Sequence, residues 1–511
     1  MPKESPEIHL AGIKLSKSSE DPLYLQLYNQ LRTMIIEGRL RSGDRLPASR
    51  TLATELGASR VIVSQAYEQL IIEGYLSGKT GAGTFVADTL PDQLLHVGAR
   101  QTTSKKKAAT EVNKPVVSLP QSEMQTKIEP FQLGIPSLDY FPYKTWQTTG
   151  NKVLKDLKKH NLGYGDSLGY WPLRKAIASY LRLSRAVQCE ADQVVIVTGA
   201  QQGMNMVAGF LLKKGDEVWM EDPGYFGAVS SFLYAGVKLC PVPVTQDGID
   251  IDYAKKNFPG ARLAYVTPSH QFPLGCMLPQ NKRTELLQWA EENDTWILED
   301  DYDSEYRYES RPLPSLQGMD KAGRVIYMGT FSKVMFPALR LAYLVLPSVE
   351  MVKEFNAFKE TIDRRSPVME QLMLCTFMEE GHFLRHIRKM RVLYAERLAI
   401  LIGLLKAQLS EYLTPSDGQS GLHLLCWISD KVDLALLKQE IEKKKLFVSF
   451  PSEYTIEHNI PPAITLGFAA FTKYRLKMGV EKLKECFENS LLNHGGTGDR
   501  TKHDDFLPRR H

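Results

Sequence analysis

The chain has 511 residues and a formal net charge of +4, and this length exceeds what one hydrophobic core accommodates, so we expect at least two domains. Hydrophobic residues make up 43% and charged residues 24% of the chain, which are values typical of globular proteins. The slight excess of positive charge is compatible with a nucleic-acid partner but does not by itself indicate one.

The six cysteines are scattered along the chain, and no two have the spacing of metal ligands. This pattern is typical of buried thiols in a reducing compartment, so we predict neither a disulfide framework nor a metal site. No segment has the apolar length of a signal peptide or of a membrane span. We therefore expect a cytoplasmic protein without a membrane partner.

The first periodic stretch follows a loose tail and is helical. Leucine or isoleucine recurs at every fourth position from Leu23 to Ile35, which predicts an amphipathic helix with Pro22 in its first turn and Asp21 as its N-cap. Gly38 ends this helix.

Two more helices are predicted over roughly 48–56 and 59–72, and residues 74–86 predict a small hairpin. The apolar face of the third helix consists of Val63, Ala66, Tyr67 and Leu70. Three helices followed by a glycine-tipped hairpin are typical of a winged helix-turn-helix. A bundle that binds another protein is the alternative for the helices alone.

Residues 43–50, 56–60 and 81–86 resemble the corresponding segments of the GntR family of bacterial regulators. The resemblance implies that the third helix enters the major groove of double-stranded DNA. Apolar Val61 and Ile62 depart from the family pattern, so the base preference does not transfer. The positions expected at the DNA are Arg50, Ser59, Arg60, Ser64, Lys79, Gly81 and Gly83.

Residues 89–129 lack periodicity and include a run of lysines, which predicts a flexible linker. This linker separates a predicted DNA-binding domain, residues 18–88, from a second domain that we place at residues 130–490. The remaining residues, 491–511, are glycine-rich with mixed charge and predict a disordered tail.

Short apolar runs alternate with helical patterns through the first half of the second domain. Strands are predicted at 194–197, 217–220, 237–244, 263–267, 295–298, 325–328 and 341–346. This alternation predicts an α/β fold with a mostly parallel sheet and helices on both faces. Polar residues at the carboxyl ends of such strands mark the expected ligand site.

Five residues near these strand ends suit one cofactor. The amine of Lys333 can form a Schiff base with an aldehyde, and the carboxylate of Asp300 can pair with a protonated pyridine nitrogen. The phenol of Tyr302 can hydrogen-bond a ring oxygen, while Thr330 and Arg340 can bind a phosphate. Together they indicate pyridoxal 5'-phosphate (PLP), although Lys333 alone would be more typical of a surface lysine.

Residues 299–308 and 329–333 resemble fold-type I aminotransferases and, more narrowly, the aminotransferase-like half of MocR/GabR-type transcriptional regulators. The resemblance implies a large domain with a mostly parallel sheet, a smaller C-terminal α+β domain, and a homodimer. It also implies a ring-stacking role for Tyr225. Further residues expected near the cofactor are Ala200 and Gln201 at a helix start, Tyr164, and His270, for which a purely structural role is equally typical.

Two positions depart from the aminotransferase pattern. Phe272 stands where an asparagine usually contacts the ring oxygen, within a His-Gln-aromatic-Pro run that is typical of the regulators. Thr465 stands where an arginine usually binds the substrate carboxylate. Lys473 or Arg475 is a candidate substitute, and both are equally typical of surface residues.

The sequence thus predicts a PLP-dependent DNA-binding regulator of the MocR/GabR type that senses PLP or a PLP–amine adduct. The alternative is a working aminotransferase that carries a DNA-binding domain. The two departures favour the regulator, although residual transaminase chemistry stays open.

Overall fold

The computed structural model describes residue 10, residues 12–16, residue 19, and the ranges 21–79, 83–88, 128–160, 163–308, 313–418 and 420–492. Gly81, the lysine run at 105–107, most of the predicted linker and nearly all of the predicted tail lie outside these ranges. The chain divides into two compact units, residues 1–112 and 113–511.

The first unit contains the three predicted helices and the hairpin. Its elements are α1 (Leu23–Ile36), α2 (Ser49–Glu55), α3 (Arg60–Ile72), β1 (Leu76–Lys79) and β2 (Gly83–Val86). The two strands are antiparallel. The predicted apolar face of α3 is buried against residues of α1, which confirms the sequence pattern.

The first and third helices of this unit begin differently. The hydroxyl of Ser59 accepts a hydrogen bond from the backbone N–H of Ile62 at 3.4 Å, so it caps α3. The prediction that Asp21 caps α1 was wrong, because Pro22 occupies the N-cap position and no side chain hydrogen-bonds the helix start.

The second unit is built on an eight-stranded sheet. Its strands are β3 (Val194–Val197), β4 (Glu217–Asp222), β5 (Lys238–Thr245), β6 (Gly248–Ile249), β7 (Leu263–Val266), β8 (Trp296–Asp301), β9 (Val325–Thr330) and β10 (Ala342–Val345). Their order across the sheet is β3-β10-β9-β8-β7-β4-β5-β6. Strands β4, β5, β7, β8 and β9 run parallel to one another, while β10 is antiparallel to both of its neighbours.

Helices cover both faces of this sheet, as predicted. They are α4 (Tyr143–Lys155), α5 (Trp171–Arg185), α6 (Ala200–Leu211), α7 (Phe226–Ala235), α8 (Ile251–Asn257), α9 (Gln280–Glu292) and α10 (Leu316–Met319). Strand β3 shows the two-sided burial clearly. Val194 and Ile196 pack in one core cluster with residues of α5, whereas Val195 and Val197 pack in another with residues of α6.

The C-terminal part combines helices with a small antiparallel sheet. The helices are α11 (Val349–Ile362), α12 (Val368–Glu379), α13 (His382–Gln408), α14 (Leu434–Lys443) and α15 (Lys473–Glu488). The sheet has the order β11-β12-β13, with β11 at Leu413–Pro415, β12 at His423–Ile428 and β13 at Ala463–Gly467. This is the smaller α+β part that the sequence predicted.

No helix in the described ranges is long and apolar enough to cross a lipid bilayer. All six cysteines are free thiols, and every one except the half-buried Cys276 is buried.

Candidate functional site

A cavity of about 380 Å³ opens at the carboxyl ends of β8 and β9. Open α/β sheets bind ligands at this end of their strands. Eight residues that the sequence predicted for the cofactor line it, namely Ala200, Gln201, Tyr225, Asp300, Tyr302, Thr330, Lys333 and Arg340.

Lys333 follows β9 and points toward the beginning of the second unit. Its Nζ donates a hydrogen bond to the carbonyl oxygen of Gly134 at 2.9 Å. Gly134 has a φ of +68°, and a Cβ built there would lie 2.5 Å from Nζ of Lys333. Glycine at this position therefore leaves room for the lysine amine in the cavity.

Asp300 lies at the end of β8 and is 5% exposed. Its Oδ2 accepts a hydrogen bond from the hydroxyl of Tyr265 at 2.7 Å, whereas its Oδ1 has no hydrogen-bond partner among the described residues. Burial raises the pKa of Asp300 to about 7. A buried carboxylate oxygen without a partner is costly, so this atom is suited to a hydrogen-bond donor from a ligand.

Another part of the cavity wall carries the groups that suit a phosphate. Arg340 lies against the turn before α6, where a Cβ built on Gly199 would be 3.0 Å from its Nη2. Gly199 has a φ of +144°, so the turn combines an unusual backbone with close approach of a cation. The first backbone N–H groups of α6 point away from the helix body and attract anions. Thr330 and Ser332 add hydroxyls to the wall.

Tyr302, His270 and Asp303 form a contiguous polar group. The hydroxyl of Tyr302 lies 3.1 Å from Nδ1 of His270, and the same nitrogen lies 3.0 Å from Oδ2 of Asp303. His270 is buried and does not line the cavity. In this chain His270 lies behind Tyr302, within hydrogen-bonding distance of that phenol, and its predicted contribution to the cofactor site stays a prediction.

His423 joins this group from β12. One ligand-type atom from each of His270, Asp303 and His423 lies within 4.8 Å of the others, which is a set that could hold a metal ion. The hydrogen bonds of His270 to Asp303 and Tyr302 use its Nδ1, so metal binding through that nitrogen would replace contacts already present.

Aromatic rings form one wall of the cavity. Tyr225 immediately precedes α7, and its ring meets Phe272 edge-on at 5.9 Å between centroids. Phe272 in turn meets Tyr454 at 5.0 Å. Edge-on pairs of this kind hold ring orientation, which suits the predicted stacking of Tyr225 on a flat ligand.

Other predicted residues lie away from the cavity of their own chain. Tyr164 is 85% exposed and does not line it, so its expected cofactor contact stays a prediction. Lys473 and Arg475 also fall outside its wall, and Arg475 donates instead to the carbonyl oxygen of Ile128 at 2.7 Å. Thr465 is fully buried in β13, where its hydroxyl has no partner among the described residues. Neither candidate substitute for a carboxylate-binding arginine is therefore in place.

Sequence reasoning missed three groups at this site. Tyr265 lies in the apolar strand β7, and the hydrogen-bond partner of its hydroxyl, Asp300, lies on the neighbouring strand β8. The carboxylate of Glu221 is buried and accepts from both the backbone and the hydroxyl of Thr267. His423 was detectable as a lone imidazole at the start of the apolar run from residue 422 to 428.

In the first unit, several of the predicted DNA-contact residues lie exposed in or beside α2 and α3. Arg50, Ser59 and Arg60 are exposed, and Ser64 is half-buried. Lys79 ends β1, opposite Gly83 in the hairpin. Gly83 has a φ of +116°, and a Cβ there would lie 3.0 Å from Nε of Arg45. Val61, the apolar departure, is 64% exposed beside Arg60.

Comparisons with known proteins match both units. The family described as bacterial regulatory proteins, gntR family, matches residues 23–86, and the family aminotransferase class I and II matches residues 130–483. The probable rhizopine catabolism regulatory protein MocR of Rhizobium meliloti is 36% identical over 476 residues, which cover 93% of this chain and 95% of that protein. The chain belongs to the MocR family of GntR-type regulators.

Another MocR-type relative is the pyridoxine biosynthesis transcriptional regulator PdxR of Corynebacterium glutamicum, at 29% identity over 93% of this chain and 99% of that protein. Among solved structures, the α-aminoadipate aminotransferase LysN of Thermus thermophilus covers 73% of this chain and 95% of its own, with 24% identity and a TM-score of 0.66. This likeness shows that the second unit has the fold-type I aminotransferase fold.

Aminotransferases of class I and II are PLP-dependent, and the cavity of this MocR-type chain fits that cofactor. The partnerless Oδ1 of Asp300 suits a protonated pyridine nitrogen. Arg340 and the start of α6 suit the phosphate. Lys333 lines the same cavity and supplies the amine.

Proposed function

We propose that this chain is a DNA-binding transcriptional regulator whose aminotransferase-like unit binds PLP, and that PLP or a PLP–amine adduct changes its affinity for DNA. The observation that carries the proposal is the pairing of a PLP-type cavity with an exposed helix-turn-helix surface in one chain. Ligand and DNA affinities are coupled only if the ligand binds two states of the protein with different affinity.

DNA contact is assigned to the N-terminal end of α3. Ser59 caps this end, which leaves backbone N–H groups of the first turn directed outward, and Arg60 extends from it into solvent. An arginine at this position reaches a guanine edge or a phosphate, and the hairpin glycine Gly83 allows close approach to the backbone of DNA.

The residues of the cavity have separate tasks toward PLP. Asp300 would keep the pyridine nitrogen protonated, Arg340 with the start of α6 would bind the phosphate, and Lys333 would hold the cofactor covalently. Tyr302 would orient the ring oxygen, with His270 behind it. When bound, the cofactor would supply an electrophilic carbon that recognises primary amines.

The cations on the cavity wall are Lys333 and Arg340, within the described residues that line it. Both are assigned to the cofactor, so nothing on this wall anchors a carboxylate as the arginine of an aminotransferase would. Ordinary amino acids are therefore expected to be poor effectors, and PLP itself is a sufficient signal.

The alternative function is a working aminotransferase with a DNA-binding domain. The fold and Lys333 permit it, while Thr465 and Phe272 remove two contacts on which transamination usually depends. Multiple turnovers of amino-group transfer at physiological donor concentrations would favour this alternative.

Three further expectations belong to this proposal. The functional domains span residues 18–88 and 130–490, joined by a linker at 89–129 and followed by a tail at 491–511. The working form is a homodimer, and it acts in the cytoplasm, where regulators meet DNA.

The experiment is a selection of bound sequences from fragmented genomic DNA with the purified full-length chain, followed by titration of the enriched fragment at increasing salt. We expect enrichment of a defined site and an affinity that falls as salt rises, because phosphate contacts release counterions. Recovery of no preferred sequence would contradict the regulatory function, and measurable transaminase turnover in the same preparation would support the alternative.

A further inference from the structure

His423 occupies the cavity wall from the small sheet of the C-terminal part. It begins β12, is 4% exposed, and lines the cavity that contains Lys333. Its Nε2 is buried and has no hydrogen-bond partner among the described residues. A buried, partnerless nitrogen on a cavity wall is costly unless a ligand supplies the missing contact.

The hydrogen bond on the other side of the His423 ring determines whether Nε2 donates or accepts a hydrogen bond. The imidazole of His423 hydrogen-bonds the backbone of Pro273, and because proline has no backbone N–H, the accepting group is its carbonyl oxygen. Nδ1 therefore carries the proton in the neutral ring, and Nε2 is an acceptor. Burial, followed by nearby His270 and Lys333, lowers the pKa of His423 well below its ordinary value, so the ring is neutral at physiological pH.

His423 lies near Thr465 in the small sheet, and Thr465 stands where an aminotransferase usually has its carboxylate-binding arginine. Residue His423 pairs with Gly467 and Leu425 pairs with Thr465 across β12 and β13. Residues directly opposite each other share a face, and alternate residues along a strand do too, so His423 and Thr465 are diagonal neighbours on one face of this sheet. The sheet face that carries an arginine in the aminotransferase pattern thus presents a neutral acceptor here.

We propose that His423 selects the effector of this cavity, and that the effector is a small amine that presents a hydroxyl or a second N–H donor to Nε2 of His423. The inference rests on the proposed function, since it treats the PLP cavity as the sensing site, and it adds the chemical class of the ligand. Amino alcohols and diamines belong to this class, whereas amino acids do not.

The surroundings of His423 favour such a ligand over a carboxylate. A carboxylate can only accept hydrogen bonds, so it would face an acceptor nitrogen with two buried carboxyls, Asp300 and Asp303, also on the wall. Phe272 meets His423 edge-on at 5.9 Å and adds an apolar surface for a short carbon chain. The hydroxyl or amine of the ligand then donates the hydrogen bond that Nε2 of His423 lacks among the described residues.

The test is calorimetric titration of the PLP-loaded full-length chain with three amines of similar length, namely propanolamine, n-butylamine and β-alanine. We expect propanolamine to bind about five- to tenfold more tightly than n-butylamine, which is the contribution of one neutral hydrogen bond. β-Alanine should bind more weakly than either.

Two substitutions at the same position separate the acceptor from the rest of the ring. His423→Asn keeps a donor near the position of Nδ1 for the Pro273 carbonyl but has no atom at Nε2, so propanolamine should lose its advantage over n-butylamine. His423→Gln places an amide oxygen near the former position of Nε2, so this variant should recover most of the affinity advantage of propanolamine. Thr465→Val, on the same sheet face, should leave the preference unchanged.

Equal binding of propanolamine and n-butylamine to the wild type, tightest binding of β-alanine, or binding of none of the three would overturn the inference. So would an unchanged preference in His423→Asn. PLP absorbance and affinity for the selected DNA are measured on the same preparations. If wild-type protein shows neither PLP absorbance nor affinity for the selected DNA, the proposed function itself fails. If both are present while the amine preference is absent, only the role assigned to His423 fails.

Discussion

The hydroxyl of Tyr265 donates to Oδ2 of Asp300 across 2.7 Å, and this contact leaves Oδ1 of the same carboxyl for a ligand. The two residues lie on adjacent parallel strands, β7 and β8. The tyrosine therefore fixes the rotation of the carboxyl group, so that its second oxygen is presented in one direction.

Asp300→Asn should weaken PLP binding by about tenfold to a hundredfold, because hydrogen bonds to charged groups contribute about 1.5–3 kcal/mol. The measurement is a titration of cofactor-free protein with PLP, followed by absorbance. Glu299→Gln is the matched control, since Glu299 is also a buried carboxyl on β8 but does not line the cavity. Comparable losses in both variants would remove the specific role of Asp300.

Asp300→Asn also carries a pH prediction for the cofactor-free protein. Burial raises the pKa of Asp300 from 3.8 to about 7, so the folded protein retains a proton that the unfolded chain has released. This contribution to the free energy of unfolding is complete below pH 3.8 and is lost as the pH rises through 7. In denaturant titrations over that range, Asp300→Asn should lower the dependence of stability on pH by the equivalent of one proton. An unchanged slope would contradict the raised pKa.

Gly199→Ala should weaken PLP binding through the phosphate end of the cavity. A methyl group there would lie 3.0 Å from Nη2 of Arg340 and would displace the guanidinium. Gly215→Ala is the control, because Gly215 also has a positive φ of +90° but has open space around its Cβ position. Both variants should lose stability of about 1–3 kcal/mol from backbone strain, and only Gly199→Ala should lose PLP affinity beyond that.

Thr465→Arg should shift the ligand preference of the cavity toward amines that carry a carboxylate. An arginine on this face of β13 supplies a bidentate partner where the wild type has a neutral hydroxyl. We expect β-alanine to gain at least about tenfold in affinity relative to n-butylamine, measured on the PLP-loaded protein. Thr465→Gln, which is polar but uncharged, should not produce this gain. If both variants behave alike, position 465 does not face the ligand.

Much of this architecture followed from sequence because its signals are local. Strand β3 was predicted at its observed bounds. Its four consecutive residues are three valines and one isoleucine, and such an unbroken apolar run is not the pattern of an amphipathic helix. Asp300 and Lys333 were assigned from their order along the chain, because the ends of parallel strands meet at one edge of the sheet.

The remaining features depend on contacts that no local pattern encodes. The roles of Tyr265 and His423 arise only from strand pairing, and His270 meets Tyr302 and His423 only after distant segments of the chain have packed together. The error at Asp21 has a local cause, because proline at position 22 takes the N-cap conformation itself.

Arg60→Ala should reduce affinity for the selected DNA site by about 1–3 kcal/mol if Arg60 contacts a base. If it contacts only phosphate, the loss should be similar for all sequences and the salt dependence should become shallower. Arg39→Ala is the control, since Arg39 is exposed but already paired with Glu37 at 2.6 Å. Unchanged affinity in Arg60→Ala would exclude this residue from the DNA surface.

The central claim is that occupancy of the cavity by PLP changes DNA binding. The direct measurement is the affinity of the full-length chain for its selected DNA site, first without cofactor and then with saturating PLP, with Lys333→Ala in parallel. We predict a change of about fivefold or more in the wild type, which corresponds to the lower end of typical coupling energies. Lys333→Ala should show little of this change and should yield no pyridoxyl-lysine after borohydride treatment. Equal DNA affinity with and without PLP, in wild-type protein whose absorbance shows bound cofactor, would contradict the account.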